Sequence, residues 1–191
     1  MLDHRNHSKA SGEIAQPLYY ASSFGLERLV DELLKGGEDV QVQGGNYCNA
    51  LQAASYWDHI GVVRLLLEYG ANVNAPGGEY GANVNAPGGE FGNALQAASY
   101  GGNDDIMHLL LENGANVNAL GGLYDTALKA ASDRGKDAAV RLLLENGADI
   151  NAPGGRVGTA LQAASYKGDI SVVRLLVENG ADVNADRKSV V

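Results

Sequence analysis

Cysteine is nearly absent from this chain, basic residues are outnumbered, and no long apolar run occurs. The single cysteine, Cys48, rules out an intrachain disulfide and suits a reducing compartment, so a cytoplasmic or nuclear protein is expected. Lysine and arginine total 14 against 23 acidic residues, a net charge of −9. That field repels a phosphate backbone, and no Lys/Arg cluster offsets it, so nucleic acid is not an expected partner. No apolar stretch approaches the roughly 18 residues that would mark a membrane-spanning helix. The opening segment Met1 to Ala10 is polar and lacks the apolar core of a secretory signal. Without that route Asn6-His7-Ser8 reads as an accidental glycosylation sequon. Aromatics are few, 6% of the chain with one tryptophan and two phenylalanines, so their positions carry information.

What the chain has is repetition. Asn49-Ala50-Leu51-Gln52-Ala53-Ala54-Ser55-Tyr56 returns nearly unchanged at 93–100, and again at 126–133 and 159–166, with a divergent copy at 16–23. The anchor leucines Leu18, Leu51, Leu95, Leu128 and Leu161 are separated by 33, 44, 33 and 33 residues. The long interval contains an 11-residue duplication, Tyr69 to Glu79 being identical to Tyr80 to Glu90. Each unit opens with a small polar residue suited to capping a helix (Asn49, Asn93, Thr126, Thr159), and Thr159 with Gln162 fits a capping box. An alanine-rich helix is expected next, then a reversal at Gly25, Gly102, Gly135 or Gly168. A second helix such as Ile60 to Tyr69 should follow, ended by Gly70, Gly114, Gly147 or Gly180 in the left-handed region. Its apolar residues, Val62, Val63, Leu65, Leu66 and Leu67, spread over more than one face, as in a helix covered by neighbours on both sides. One helix pair cannot bury both its alanine side and its leucine side, so the pairs must stack.

Period and residue order together resemble the ankyrin repeat. Leu109-Leu110-Leu111-Glu112-Asn113-Gly114-Ala115-Asn116-Val117-Asn118-Ala119 is similar to that family's second helix and loop. The match covers about residues 16 to 185. The expected fold is therefore an all-α ankyrin-repeat solenoid of five helix-turn-helix repeats with inter-repeat β-turn or hairpin loops. The repeats fall at about 16–48, 49–92 with the duplication, 93–125, 126–158 and 159–185, between a flexible N-terminal tail (1–15) and a C-terminal tail (186–191). The family's Thr-Pro-Leu-His becomes Asn49-Ala50-Leu51-Gln52 here, so Gln52, Gln96, Lys129 and Gln162 must replace or forgo the histidine's bridge to the next unit. Asp58 stands where other units have the inter-helix glycine. The repeat dialect resembles ankyrin arrays of large fungal proteins, often joined to nucleotide-dependent switch domains, though no such domain is visible in these residues.

Catalytic and metal chemistry find little support in the sequence. His4 and His7 have a metal-like spacing but no third ligand nearby. His108 shares the register of Arg64, Arg141 and Arg174, a surface position. Gly154 to Thr159 faintly resembles a phosphate loop but lacks its lysine, and the same glycine pair recurs between repeats. The recurrent serines (Ser22, Ser55, Ser99, Ser132, Ser165) read as packing residues with a local backbone hydrogen bond. Arg64/Glu68, Arg141/Glu145 and Arg174/Glu178 read as solvated pairs four apart. No cofactor is expected.

The aromatics are more telling. Tyr56, Tyr100 and Tyr166 share one position at the end of the first helix, and Trp57 and Phe24 share the next. The family resemblance implies that this position lines the concave, partner-binding side. A second set, Tyr47, Phe91 and Tyr124, falls in the inter-repeat turns, where it reads either as inter-repeat packing, the favoured reading, or as a candidate secondary surface. The expected function is protein–protein interaction, with another protein as partner. The alternatives are the recognition end of a larger NTP-dependent signalling protein, a passive spacer or a small enzyme. Two further expectations concern the stack. The duplicated stretch should leave it as a loop between about Asn72 and Gly89, with repeats two and three still neighbours. The last unit carries the internal pattern Val172, Val173, Leu175, Leu176 and Val177, so an exposed apolar end and self-association are expected.

Overall fold

A computed structural model describes residues 16–44, 47–76, 91–153 and 158–185. Among these, ten helices form five pairs: α1 (Pro17–Ser23) with α2 (Glu27–Lys35), α3 (Ala50–Tyr56) with α4 (Ile60–Glu68), α5 (Ala94–Gly101) with α6 (Asp104–Glu112), α7 (Ala127–Asp133) with α8 (Asp137–Glu145), and α9 (Ala160–Lys167) with α10 (Ile170–Glu178). The expected tails, His4 and His7, and the expected finger beyond Pro76 lie outside the described residues.

Local chemistry accounts for the helix ends. The side chains of Asn49, Asn93, Thr126 and Thr159 accept from the backbone N–H three residues on, and Thr159 with Gln162 completes the capping box. Each second helix closes with one motif. In α4 the N–H of Gly70 bonds the Leu67 carbonyl and that of Ala71 bonds the Leu66 carbonyl. This double closure needs φ near +82° at Gly70, a region open to glycine because it has no Cβ. Asp58 takes the equivalent left-handed conformation between α3 and α4, at φ +63°. It adopts the glycine geometry without the glycine.

The pairs stack. First helices pack in the series α1, α3, α5, α7, α9, second helices in the series α2, α4, α6, α8, α10, and each pair is joined internally. One apolar core runs along the junction, with Leu18, Val30, Leu51, Leu66, Leu95, Leu110, Leu128, Leu143 and Leu176 all buried. Each fully buried side chain of this kind contributes roughly 1.5–3 kcal/mol. The inter-repeat turns are tied by isolated antiparallel bridges, Gln43 with Asn49, Gly121 with Asp125, and Phe91 with Gly122 across neighbouring turns.

A ladder of amide clamps holds consecutive loops in register. Asn118 Nδ2 donates to the Gly147 carbonyl at 2.9 Å while its Oδ1 accepts from Asp149 N–H at 2.8 Å. Gln41, Asn74 and Asn151 make the same double contact with the next loop. The Asn74 clamp reaches Gly114 and Asn116 across the duplicated stretch, and α3 packs on α5. Repeats two and three are therefore ordinary neighbours.

Two expectations need correction. Only Ser99 of the serine column makes the local bond, to the Leu95 carbonyl at 2.6 Å. The buried hydroxyls of Ser22, Ser55 and Ser132 have no partner, and Ser165 is exposed because no described helix covers it. The three Arg–Glu pairs are not among the ion pairs of the described residues, which join Asp31 to Lys35, Asp125 to Lys129 and Asp133 to Lys167. Long exposed side chains gain too little from such contacts to hold them. At the last repeat exposed apolar residues are present as expected, Tyr166, Ile170, Val177 and Val183, while Val172, Leu175 and Leu176 of the internal pattern are buried.

Candidate functional site

The column that departs from the family pattern ties first helices to the inter-repeat turns. Gln96 Oε1 accepts from Gly92 N–H at 2.8 Å, and its Nε2 donates to the carbonyls of Asp125 at 2.9 Å and Ala119 at 3.2 Å. Gln52 reaches the Ala75 carbonyl at 3.4 Å. Lys129, fully buried, sends its ammonium to the Pro153 carbonyl at 3.2 Å and the Asp125 carboxylate at 3.4 Å. In the last repeat Gln162 accepts instead from Thr159 N–H at 2.7 Å. Gln52, Gln96 and Lys129 thus hold α3, α5 and α7 against the turns that follow them.

The two aromatic sets then interleave into one ladder. Tyr47 stacks on Tyr56 with centroids 4.7 Å apart, Tyr56 meets Phe91 at 5.4 Å, Phe91 meets Tyr100 at 5.0 Å, and Tyr100 meets Tyr124 at 5.2 Å. Helix-end and turn rings alternate along it, with buried Ala53, Ala97 and Ala130 beneath. Small residues on the first helices leave the space that the rings fill. Trp57 closes one end, edge-on to Tyr56 at 4.9 Å. The Arg134 guanidinium lies over Tyr100 at 4.7 Å near the other.

This arrangement revises the expected surfaces. Phe91 is 1% exposed and Tyr124 6%, so neither forms a surface. Tyr47 is half-buried beside them. They serve as stacking residues, because a ring in the turn is covered by the helix-end rings of two repeats. Tyr56 and Tyr100 are also half-buried within the ladder. Phe24 (70% exposed) and Trp57 (51%) remain open, as does Tyr166 (88%). Tyr166 joins no ring pair among the described residues. The helix-end position of the intervening repeat is Asp133, which pairs with Lys167 at 3.6 Å, so the aromatic series is interrupted before Tyr166.

The sequence reading missed a groove between the first two repeats. It has a volume of about 510 Å³. Tyr19, Tyr20, Ser23 and Phe24 line it from α1 and its C-terminal cap, and Tyr47, Trp57 and His59 from the turn and repeat that follow. Tyr19 occupies the column of Gln52 and is buried, and its hydroxyl accepts from Tyr47 N–H at 3.3 Å. His59 Nε2 meets the Ser23 carbonyl at 3.1 Å, a link across the repeat boundary. The signal for this groove was Tyr19 in the link column, together with the shared register of Phe24 and Trp57.

The resolved titration shifts lie away from this side. The hydrogen-bonded Lys35 ammonium holds the Asp31 carboxyl below its ordinary range, and Lys35 is raised in turn. The Ser171 hydroxyl and the Val172 N–H lower Asp169 at the start of α10. Among the described residues no group of three or more His, Cys, Asp or Glu side chains gathers as a metal site would require, and no helix is long and apolar enough to cross a membrane.

With this geometry established, comparison with known proteins is informative. The family model for ankyrin repeats in three copies matches residues 3–77, 77–154 and 94–187. A curated protein of Monascus ruber, described as azaphilone pigments biosynthesis cluster protein L, is 40% identical over 75 residues, covering 36% of this chain and 16% of that one. The chain thus spans a small part of that fungal relative's length.

Proposed function

The chain belongs to the ankyrin-repeat family, whose members are generally non-catalytic protein-interaction modules, and on that premise we propose that it binds a protein partner along the side built by its first helices and inter-repeat turns. The observation that carries the reading is the pairing of open aromatics with a rigid support. Phe24 and Trp57 are exposed beside a groove, while the ladder from Tyr47 to Tyr124 holds their neighbours in fixed orientations. Aromatics that are already ordered lose little side-chain entropy on binding and supply large contact areas. The buried single cysteine suits a reducing compartment, the cytoplasm or nucleus. The chain acts as a recognition element rather than an enzyme.

The test is selection of binders from a random peptide library on the intact 191-residue chain, followed by hydrogen-exchange footprinting. Protection of α1, α3 and the turn around Tyr47 is expected. Phe24→Ala and Trp57→Ala should each weaken binding roughly tenfold or more, as hot-spot truncations do. Protection confined to the second helices, or binding indifferent to both substitutions, would overturn the reading and favour a passive spacer.

A further inference from the structure

The groove between the first two repeats has a chemistry that specifies its occupant. Residues 16–76 contain seven acidic and three basic side chains. All three bases, Arg28, Lys35 and Arg64, lie on second helices. On the first-helix side, Asp58 is exposed and directly follows Trp57, a lining residue of the groove. Five of the seven lining residues are aromatic, and the face of such a ring attracts cations through its quadrupole.

The same chain displays this contact elsewhere. Phe24, Trp57, Gly101, Arg134 and Lys167 share one repeat position. In the fourth repeat that position holds a guanidinium 4.7 Å from the Tyr100 ring. In the first two repeats the position is aromatic, and the groove between them contains no guanidinium or ammonium among its lining residues. A partner cation there would repeat for the open end of the ladder what Arg134 does near the other end.

From this geometry we propose that the groove receives an arginine side chain from a basic peptide segment of the partner, its guanidinium lying on Trp57 and Phe24 with Asp58 beside it. Arginine suits the site better than lysine because its flat, weakly hydrated guanidinium stacks on ring faces. The net charge of −9 attracts such a segment from a distance. This proposal rests on the interaction reading above and adds the chemistry of the partner.

Trp57 is the sole tryptophan, so its emission reports directly on the groove. The full chain would be titrated with the amidated peptide Ala-Leu-Arg-Leu-Ala and with the same peptide carrying citrulline, which keeps the shape of arginine and loses its charge. A saturable change in Trp57 emission is expected with the arginine peptide, and binding at least tenfold weaker with citrulline. Phe24→Ala and Asp58→Asn should each weaken the arginine peptide severalfold, and circular dichroism should confirm that both variants stay folded. Equal affinity for the two peptides, or no emission change with either, would overturn the proposal. If library selection yields peptides without arginine or lysine that still protect α1 and α3, the interaction reading stands and the cationic one fails. If selected peptides protect only the second helices, both fail.

Discussion

Replacing Phe91 by alanine is the sharpest test of the aromatic ladder. Phe91 sits in a turn, where a sequence reading allows a surface role, yet it is 1% exposed. Its ring lies 5.0 Å from Tyr100, 5.4 Å from Tyr56, 6.2 Å from Tyr124 and 6.4 Å from Tyr47. Truncating a buried phenylalanine to alanine costs roughly 3–5 kcal/mol through lost transfer energy and the cavity left behind. Ring pairs of this kind add about 0.5–1.5 kcal/mol beyond area burial. The four contacts share one ring and do not add, so a loss of about 4 kcal/mol is expected for Phe91→Ala. Phe91→Leu retains much of the volume and forfeits the stacking, so about 1–2 kcal/mol is expected. Because repeat stability resides in nearest-neighbour interfaces, the loss should concentrate at the junction of repeats two and three. Urea unfolding followed by circular dichroism gives the total, and amide exchange in α3 and α5 locates it. A loss below about 1 kcal/mol for the alanine variant, the size expected of a surface residue, would refute the ladder.

Three further outcomes follow from the same structure. Asp58→Gly should raise stability by up to about 1 kcal/mol in urea unfolding, since Asp58 holds φ +63°, where an L side chain is disfavoured, and Asp58→Ala should lower it. Gln96→Leu should cost roughly 2–3 kcal/mol, because it strands the Gly92 N–H and the Ala119 carbonyl and leaves the Asp125 carbonyl with the Gly121 N–H alone, and exchange of the Gly92 amide should quicken. Asp169 is lowered from 3.8 by Ser171 and Val172, so its contribution is complete above that value and is lost as pH falls through the lower folded value. Asp169→Asn should keep the cap and flatten this acid limb, while Asp169→Ala should cost about 1 kcal/mol near neutrality, both read from denaturation midpoints across pH.

Much of the fold is legible in the sequence because it is set within a few residues. The caps at Asn49, Asn93, Thr126 and Thr159 and the left-handed glycines at 70, 114, 147 and 180 act on their own backbone, so spacing alone reveals them. The 33-residue register likewise identifies Gln96 and Lys129 as residues that must make or forgo a link. The partner atoms are another matter, since Lys129 reaches Pro153 and Gln96 reaches Ala119 only after the second helix and its loop have folded back beside the first helix.

The candidate site shows the same division more clearly. Register sorts Tyr56 and Tyr100 into one column and Tyr47, Phe91 and Tyr124 into another, and by itself it establishes the stacked helical repeat, the caps, the turns and the acidic surface. It cannot say that the two columns interleave, because that depends on the offset between successive units, which sets which ring covers which. Tertiary packing decided that Phe91 and Tyr124 are buried, that Asp133 pairs with Lys167 where the series breaks before Tyr166, and that Phe24 and Trp57 line one groove. The physical reason is that exposure belongs to the assembled stack: an identical residue is core where the next repeat lies over it, and surface where none does.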